Sequence, residues 1–421
     1  MKTQIFSSLQ FVLVLNTEKI TAMYKDILIP FLFILNFACT AETKTTAIKE
    51  EKETVPEIVV GAEQTEAYLP FLKDKKVGVL VNQTSIIKGQ HLVDSLVALG
   101  VNIQMIFAPE HGFRGNEDAG AHVDDDIDPS TGIKIFSIYG KNKRPSPELL
   151  QQVDLVIFDI QDVGCRFYTY ISSMHYMMEA CAEAGKEMLV LDRPNPNGMY
   201  VDGPVLDLKF KSFVGMHQIP ILHGLTVGEL AQMINGEQWL RNKTKCELKV
   251  IPVKHYDHSM PFSLPVKPSP NLPNDQSILL YPSLCFFEAT PVSIGRGTSF
   301  PFQVIGYPNQ KLGGFEFTPK ATPGAASNPV LKDQLCYGED LRTMGKGGLQ
   351  LSYIINWNEK FKAEEGKTVI SKNKWMDLLC GTDQVRLALN EGKTEAEIKA
   401  VWKEKLDDYK LMRKKYLLYK D

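Results

Sequence analysis

The sequence has no surplus of positive charge. Its 421 residues include 47 Lys and Arg against 50 Asp and Glu, which gives a formal net charge of −3. Proteins that bind nucleic acids present a basic surface to the phosphates, and nothing in this balance indicates one. We therefore expect no nucleic-acid partner. The share of hydrophobic residues, 44%, is typical of a globular protein.

The sequence also lacks the motifs of several enzyme classes. Its eight histidines form neither HExxH nor HxH, no CxxC is present, and the GxSxG of serine hydrolases is absent. No GxGxxG follows the first predicted strand. The cysteines other than Cys39 are widely and irregularly spaced, so we expect mostly free, buried thiols. We predict neither a metal ion nor a cofactor.

The apolar run at residues 27–37 is too short to cross a bilayer, which takes about 20 apolar residues. It follows Lys25 and precedes Ala38 and Cys39. A cationic start, a short apolar stretch and a small residue are typical of a secretory signal. A cysteine at this place indicates a lipoprotein acylated on Cys39. The alternative is a plain secretory signal with an incidental cysteine.

These features predict the organisation of the N-terminal region. A lipoprotein-type signal occupies residues 1–39, with Met23 as the more natural start. Residues 40–57 are rich in Thr, Lys and Glu and are predicted to be a flexible tether. The expected location is a membrane, through the lipid anchor, on the periplasmic side of the cell envelope.

The rest of the chain begins with alternating strands and helices. Apolar runs predict strands at 76–81, 103–107, 133–138, 154–158, 187–191 and 248–253, and helical spacing predicts helices at 91–99, 171–181 and 226–235. This alternation predicts an α/β fold with a doubly wound sheet. Because Pro and Gly become frequent after residue 260, we place one domain at 58–260 and a smaller one at 261–421. A capping box at Thr394 and Glu397 predicts a terminal helix that extends to Met412.

Polar residues cluster where the predicted strands end. Glu110 and His111 follow the second strand, residues 159–166 follow the fourth, and residues 192–197 follow the fifth. Ligands of doubly wound sheets bind at the carboxyl ends of the strands. We therefore predict the functional site at this edge of the sheet.

Two glutamates are candidates for acid–base chemistry. Glu110 lies in a Pro- and Gly-punctuated loop and could act as a general acid, or it could pair with Arg114 to fix the loop. Glu288 could supply the second carboxylate that glycoside hydrolysis requires, or it could form a structural pair with Arg296. Residues 159–170 combine acids, an amide, an arginine and tyrosines, which suits a sugar site. The alternative there is a strand-end turn fixed by an Asp–Arg pair.

Five long motifs then make the chain resemble a known family. They are APEHGFRG at 108–115, DIQDVGCRFYTYI at 159–171, LDRPNPNG at 191–198, PSPNLP at 268–273 and FEATPVSIGRGT at 287–298. In this order they resemble the exo-β-N-acetylmuramidase family, over about residues 59–419. The resemblance implies release of N-acetylmuramic acid from the non-reducing end of peptidoglycan fragments, in cell-wall turnover and recycling. It also implies a Rossmann-like domain that carries the cleft, a smaller α/β C-terminal domain that contributes to it, and no nucleotide.

The resemblance further implies roles for single residues. Glu110 falls on the family's general acid/base and Glu288 on its second acid, although Ala289 stands where the family has Gly. For the lactyl carboxylate of muramic acid, which needs a cation, we predict Arg166 or Arg296. The implied substrate contacts are His111, Arg114, Asp159, Gln161, Asp162, Arg166, Tyr168, Asp192, Arg193, Asn195, His223, Asn271, Arg296 and Thr298.

The resulting hypothesis is a glycosidase in which Glu110 protonates the glycosidic oxygen. A second acid, Glu288 or one of Asp159 and Asp162, would activate water or attack carbon, and the 2-acetamido oxygen could also take part. Two other functions stay open. One is a metal-dependent hydrolase that uses His111, Asp159, Asp162 and His223. The other is a lipoprotein that binds muropeptides without cleaving them.

Overall fold

The computed structural model describes residues 56–115, 118, 125–343 and 346–421. The predicted signal, with Cys39, and all of the predicted tether before residue 56 lie outside the described residues. Residues 56–421 form one compact unit. In the described ranges no helix is long and apolar enough to cross a membrane.

Strands and helices alternate through the first half of this unit, and helices dominate the last part. The strands are Val77–Val81 (β1), Ile86–Ile87 (β2), Gln90–His91 (β3), Ile103–Ala108 (β4), Asp126–Ile127 (β5), Lys134–Ser137 (β6), Leu155–Asp159 (β7), Glu187–Leu191 (β8), Glu247–Ile251 (β9), Val304–Tyr307 (β10), Phe315–Phe317 (β11) and Cys336–Asp340 (β12). The α-helices are Thr65–Leu72 (α1), Leu92–Ala98 (α2), Pro147–Leu150 (α3), Tyr170–Ala184 (α4), Val227–Gly236 (α5), Asp275–Leu284 (α6), Ser352–Glu365 (α7), Asn373–Cys380 (α8), Gln384–Asn390 (α9), Glu395–Ala400 (α10) and Lys403–Arg413 (α11).

The central sheet of the described chain has seven strands in the order β5-β6-β4-β1-β7-β8-β9. Every pairing is parallel except β5 with β6. The inner strands β1 and β7 are buried along their whole length. A parallel strand covered on both faces needs a nearly continuous apolar sequence, which the runs VGVLV and LVIFD provide.

Successive side chains of each strand enter different cores. Val79 and Ile157 belong to a core that α1 and α2 cover, whereas Leu80 and Phe158 belong to a core that α4 and α5 cover. This alternation is the period of two of a β-strand. Because helices cover both faces, the sheet is doubly wound, and the predicted fold class is confirmed.

The second part of the chain adds a smaller sheet and most of the helices. In the described residues β10, β12 and β11 form an antiparallel sheet in that order. The core that contains Leu80 continues into this part and includes the fully buried Trp357. The apolar core therefore crosses the boundary predicted near residue 260, and the division into domains stays a prediction.

Most predicted elements of the sheet appear within a few residues of their predicted bounds. The predicted capping box at Thr394 is present, and a second one begins α5 at Thr226. The prediction of a single terminal helix is wrong. The chain breaks it after Val401, between α10 and α11. At the break Trp402 is buried, and its indole N–H donates to Asp202, 3.3 Å away. The apolar stripe indicated helical periodicity but could not reveal this tertiary contact.

Candidate active site

A cavity of about 810 Å³ opens at the carboxyl ends of β4 and β7. Glu110 and His111 line it directly after β4, and residues 167–170 line it after β7. Its opposite wall comes from the second part of the chain, including Glu288 and the loop 325–330. The cavity therefore lies at the edge of the sheet where the sequence placed the site, and its size suits a small ligand.

Glu110 is half-buried, and hydroxyl groups fix its carboxylate. Tyr139 donates to Oε1 at 2.8 Å, and Thr169 donates to Oε2 at 2.7 Å. The hydroxyl of Tyr170 reaches the main-chain oxygen of Glu110 at 3.4 Å. Burial and the neighbouring Glu110 raise the pKa of Tyr139, so its hydroxyl keeps its proton and remains a donor.

His111 adopts a backbone conformation that few non-glycine residues adopt, with φ of 67°. Gly112 follows with φ of 75°. The pair turns the chain sharply after β4, and the buried His111 ring meets Ser269 at 3.2 Å from Nε2 to Oγ. This contact joins the loop that carries Glu110 to the second part of the chain.

Glu288 and Arg296 lie together on the opposite wall. The guanidinium Nη2 donates to Glu288 Oε1 at 2.6 Å, and each side chain is about one quarter exposed. Glu288 lies in the 3₁₀ helix Cys285–Ala289, which directly follows α6. The structure therefore has the Glu288–Arg296 pair that the sequence suggested, and it places this pair on the cavity rather than in the core.

Two further predicted contacts line the cavity while bonding to main-chain oxygens. The Tyr168 hydroxyl donates to Pro268 at 2.7 Å. The Asn271 amide donates to Ala325 at 2.7 Å. Both bonds connect segments that are far apart in the sequence, 100 and 54 residues, and so help to define the shape of the cavity.

The polar side chains at the ends of β7 and β8 bond to other groups of the protein. Asp159 is fully buried and forms a bidentate pair with Arg193, at 2.5 and 2.9 Å. Asn195 donates to Leu225 at 2.9 Å and accepts from the N–H of Asn197 at 2.8 Å. These predicted substrate contacts do not line the cavity. They connect the ends of β7 and β8 to the neighbouring loops.

Gln161 and Asp162 behave similarly. The Gln161 amide donates to the main-chain oxygens of Asp162 and Pro194, at 2.8 and 2.7 Å. Asp162 accepts from the Gly164 N–H at 2.6 Å, and its Oδ2 lies 3.7 Å from Nε2 of the buried His223. Neither side chain lines the cavity, so both stabilise the turn after β7.

Arg114 and Thr298 also lie off the cavity lining. Arg114 pairs with the buried Asp128 at 2.8 Å and lies over the Phe113 ring. The Thr298 hydroxyl donates to the main-chain oxygen of Gly295 at 2.7 Å. Arg114 therefore fixes its loop through Asp128, not through Glu110.

Arg166, one of the two candidates for a carboxylate partner, is fully buried away from the cavity. Its guanidinium donates to the main-chain oxygens of Pro204, Ile219 and Leu379, at 2.7, 2.8 and 3.0 Å. Burial lowers its pKa to about 10. Arg296 is thus the candidate that reaches the cavity, although Glu288 already engages it.

Asp192 is fully buried in a network that reaches the C-terminus. Its Oδ1 accepts from the N–H groups of Arg193 and Gly228, at 3.0 and 2.8 Å. Its Oδ2 accepts from the hydroxyls of Thr226 and Tyr419, at 2.7 and 2.5 Å. Burial raises the pKa of Asp192 to about 6, which makes this carboxyl a stability element with its own pH dependence.

The Asp192→Asn variant should become more stable relative to the wild type as pH rises from about 4 to 6. A carboxyl with a raised pKa in the folded state binds its proton more tightly there than in the unfolded state. The stability that Asp192 contributes to the wild type is therefore full below its unfolded pKa of 3.8 and is lost as pH rises through about 6. The relative gain is about 2 kcal/mol. The amide nitrogen can donate to the Thr226 and Tyr419 hydroxyl oxygens. Urea unfolding at several pH values measures this, with the exposed Asp408→Asn as control. A difference that does not vary with pH would contradict it.

Several cavity residues were missed by sequence reasoning. Tyr139 was detectable in principle, because it follows β6 at the same edge of the sheet. Thr169 and Tyr170 lie in a quoted motif but were not singled out. Ser269 also lies in a quoted motif, PSPNLP, without having been singled out. Lys372 and Trp375 line the cavity as well, and no local pattern in the sequence distinguishes them.

The four residues of the metal-dependent alternative do not converge. His111 lines the cavity, whereas Asp159 is buried against Arg193. Across the described ranges, no group of three or more His, Cys, Asp or Glu side chains is arranged to hold a metal ion. The six described cysteines are buried and unpaired, as expected for this chain.

Comparisons with known proteins agree with this architecture. Residues 77–276 match the family model described as exo-beta-N-acetylmuramidase NamZ, N-terminal, and residues 279–419 match its C-terminal counterpart. The chain is 36% identical over 405 residues to the peptidoglycan beta-N-acetylmuramidase NamZ of Bacillus subtilis strain 168, an alignment that covers 90% of this chain and 96% of that protein.

Two solved structures share the fold. Both are DUF1343 family proteins from Bacteroides fragilis NCTC 9343, and this chain covers 100% of each while 87% of it is aligned. The first is 46% identical with a TM-score of 0.80, and the second is 30% identical with a TM-score of 0.74.

Proposed function

The chain belongs to the exo-beta-N-acetylmuramidase family, and from this premise we propose that its cavity cleaves N-acetylmuramic acid from the non-reducing end of peptidoglycan fragments, with Glu110 as the general acid. The chain is a glycosidase that acts on peptidoglycan. The observation that carries the assignment of Glu110 is its half-buried carboxylate, fixed by Tyr139 and Thr169 in a cavity that also contains Glu288.

Glu110 would protonate the glycosidic oxygen as the bond to the leaving sugar breaks. A general acid must keep one orientation toward the oxygen it protonates. The hydroxyls of Tyr139 and Thr169 hold one carboxylate oxygen each, so the side chain has little freedom to rotate. After the bond breaks, the same carboxylate can accept a proton from water.

Glu288 is the proposed second acid. Asp159 pairs with Arg193 in the core, and Asp162 is bonded within its own turn, whereas Glu288 lines the cavity. Arg296 donates to Oε1 of Glu288 at 2.6 Å and so fixes the side chain that, in this role, attacks carbon or activates water. The anomeric configuration of the first sugar released distinguishes these two roles.

The proposal is tested with chromogenic β-N-acetylmuramide and β-N-acetylglucosaminide and the purified full chain. We expect hydrolysis of the muramide alone, unaffected by a chelator. Loss of activity in chelator would favour the metal-dependent alternative. Binding of the muramic disaccharide without any cleavage would favour a non-catalytic binding protein.

The proposal includes a lipid anchor on Cys39 that holds the enzyme at the periplasmic side of the cell envelope, where wall fragments arise. The short apolar run before Ala38 and Cys39 supports it. Labelling with an alkyne fatty acid in a bacterial host should mark the wild type and not Cys39→Ser. Equal labelling of both proteins, or labelling of neither, would refute the proposed lipid anchor on Cys39.

A further inference from the structure

The cavity is acidic although its proposed substrate is an anion. Among the described residues of its lining, the negative formal charges are those of Glu110, Asp118 and Glu288, and the positive ones are those of Arg296 and Lys372. Muramic acid differs from glucosamine by a lactyl ether that ends in a carboxylate. Binding this group in such a cavity requires a cation that is not already neutralised.

The two cations are not equivalent. Arg296 is engaged by Glu288 at 2.6 Å. Lys372 is exposed, and its ammonium donates to the main-chain oxygen of Glu288 at 3.3 Å. Among the described residues no carboxylate forms an ion pair with Lys372 within 4.0 Å. A charged ammonium with a single carbonyl partner retains donors for a ligand.

Main-chain bonds fix the position of Lys372 against the wall that carries Glu288. The N–H groups of Ser371 and Lys372 both donate to the Ala289 oxygen at 3.0 Å. The start of α8 is thereby attached to the 3₁₀ helix Cys285–Ala289. The backbone from which the Lys372 side chain extends is therefore held in place next to Glu288, the second proposed acid.

We infer that Lys372 binds the lactyl carboxylate of the substrate and thereby selects muramides over sugars that lack this group. The inference rests on the proposed function. It assigns carboxylate recognition to a lysine of the second part of the chain, and it leaves Arg296 to serve Glu288. Because Lys372 lies next to Glu288, binding the carboxylate also orients the sugar relative to that acid.

The test compares two substrates that differ in charge alone: a chromogenic β-N-acetylmuramide and its lactyl carboxamide. For Lys372→Met, the ratio of kcat/KM for the acid over the amide should fall about tenfold, mainly through KM. Lys372→Arg should keep most of the ratio because it keeps the charge. Lys374→Met is the matched control, since Lys374 is exposed, two residues away and not on the cavity lining.

Salt supplies an independent readout. An exposed ion pair weakens as ionic strength rises, so added salt should lower the acid-over-amide ratio of the wild type more than that of Lys372→Met. An equal loss on both substrates in Lys372→Met would overturn the inference, because it would show that Lys372 only positions the wall around Glu288. A wild type that hydrolyses neither muramide would instead refute the proposed function.

Discussion

Replacing Glu110 with glutamine should lower kcat on a muramic disaccharide by about a thousandfold, while the unfolding midpoint stays near that of the wild type. Positioned general acids contribute roughly 10²- to 10⁴-fold to rate, and an amide cannot donate the proton that the leaving oxygen needs. Glutamine has the same shape and can still accept from the Tyr139 hydroxyl, so the loop after β4 should keep its structure.

The leaving group makes this prediction specific to general-acid catalysis. A 4-nitrophenolate leaves without protonation, whereas a sugar hydroxyl does not. The loss in Glu110→Gln should therefore be smaller on the chromogenic muramide than on the disaccharide. Glu316→Gln, at an exposed position on β11, is the matched control and should retain full activity. If Glu110→Gln keeps more than a tenth of its activity on the disaccharide, Glu110 is not the acid.

The location of the site could be predicted from the sequence because it follows from the topology of a parallel sheet. Apolar runs gave β4 and β7, and the carboxyl ends of neighbouring parallel strands meet at one edge. Glu110 follows β4 directly, so its place on the cavity required only the strand assignment. Tyr139 after β6 obeys the same rule and could have been found by it.

Which polar side chains face a ligand could not be predicted in this way. Asp159 ends β7, and Asp192 and Asn195 follow β8, yet each bonds to groups of the protein itself. One donor to Asp192 is the Tyr419 hydroxyl, 227 residues further along the chain. Residue type and spacing cannot distinguish a carboxylate that awaits a ligand from one that a distant hydroxyl satisfies.

The residues of the opposite wall of the cavity also could not be predicted from the sequence. Lys372 and Trp375 reach the cavity because α8 packs beside the 3₁₀ helix that contains Glu288. That packing depends on contacts between segments about 80 residues apart. The sequence around Lys372 contains several lysines, and only the tertiary structure selects one of them.

Arg166 makes the distinction between structural and substrate-binding roles measurable. Arg166→Met should lower the free energy of unfolding by about 3–5 kcal/mol. The substitution leaves the main-chain oxygens of Pro204 and Leu379 buried without the donor they have in the wild type, while Ile219 keeps only the Leu206 N–H. An unsatisfied buried polar group costs about 1–3 kcal/mol. The surrounding structure relaxes and relieves part of this cost, so the loss of stability is smaller than the sum over the unsatisfied oxygens. Arg166→Lys should be intermediate, because an ammonium keeps the charge but cannot reach all of these oxygens with one geometry.

Urea unfolding measures the loss, with the exposed Arg342→Met as control, for which we expect no measurable change in midpoint. The decisive comparison is kinetic. Below its unfolding transition, Arg166→Met should keep the KM of the wild type for the muramide, because the Arg166 guanidinium lies outside the cavity. Arg296→Met should instead lose kcat through Glu288 with a smaller loss of stability. A raised KM for the muramide in Arg166→Met, without loss of stability, would return Arg166 to the role of carboxylate partner and would contradict the assignment to Lys372.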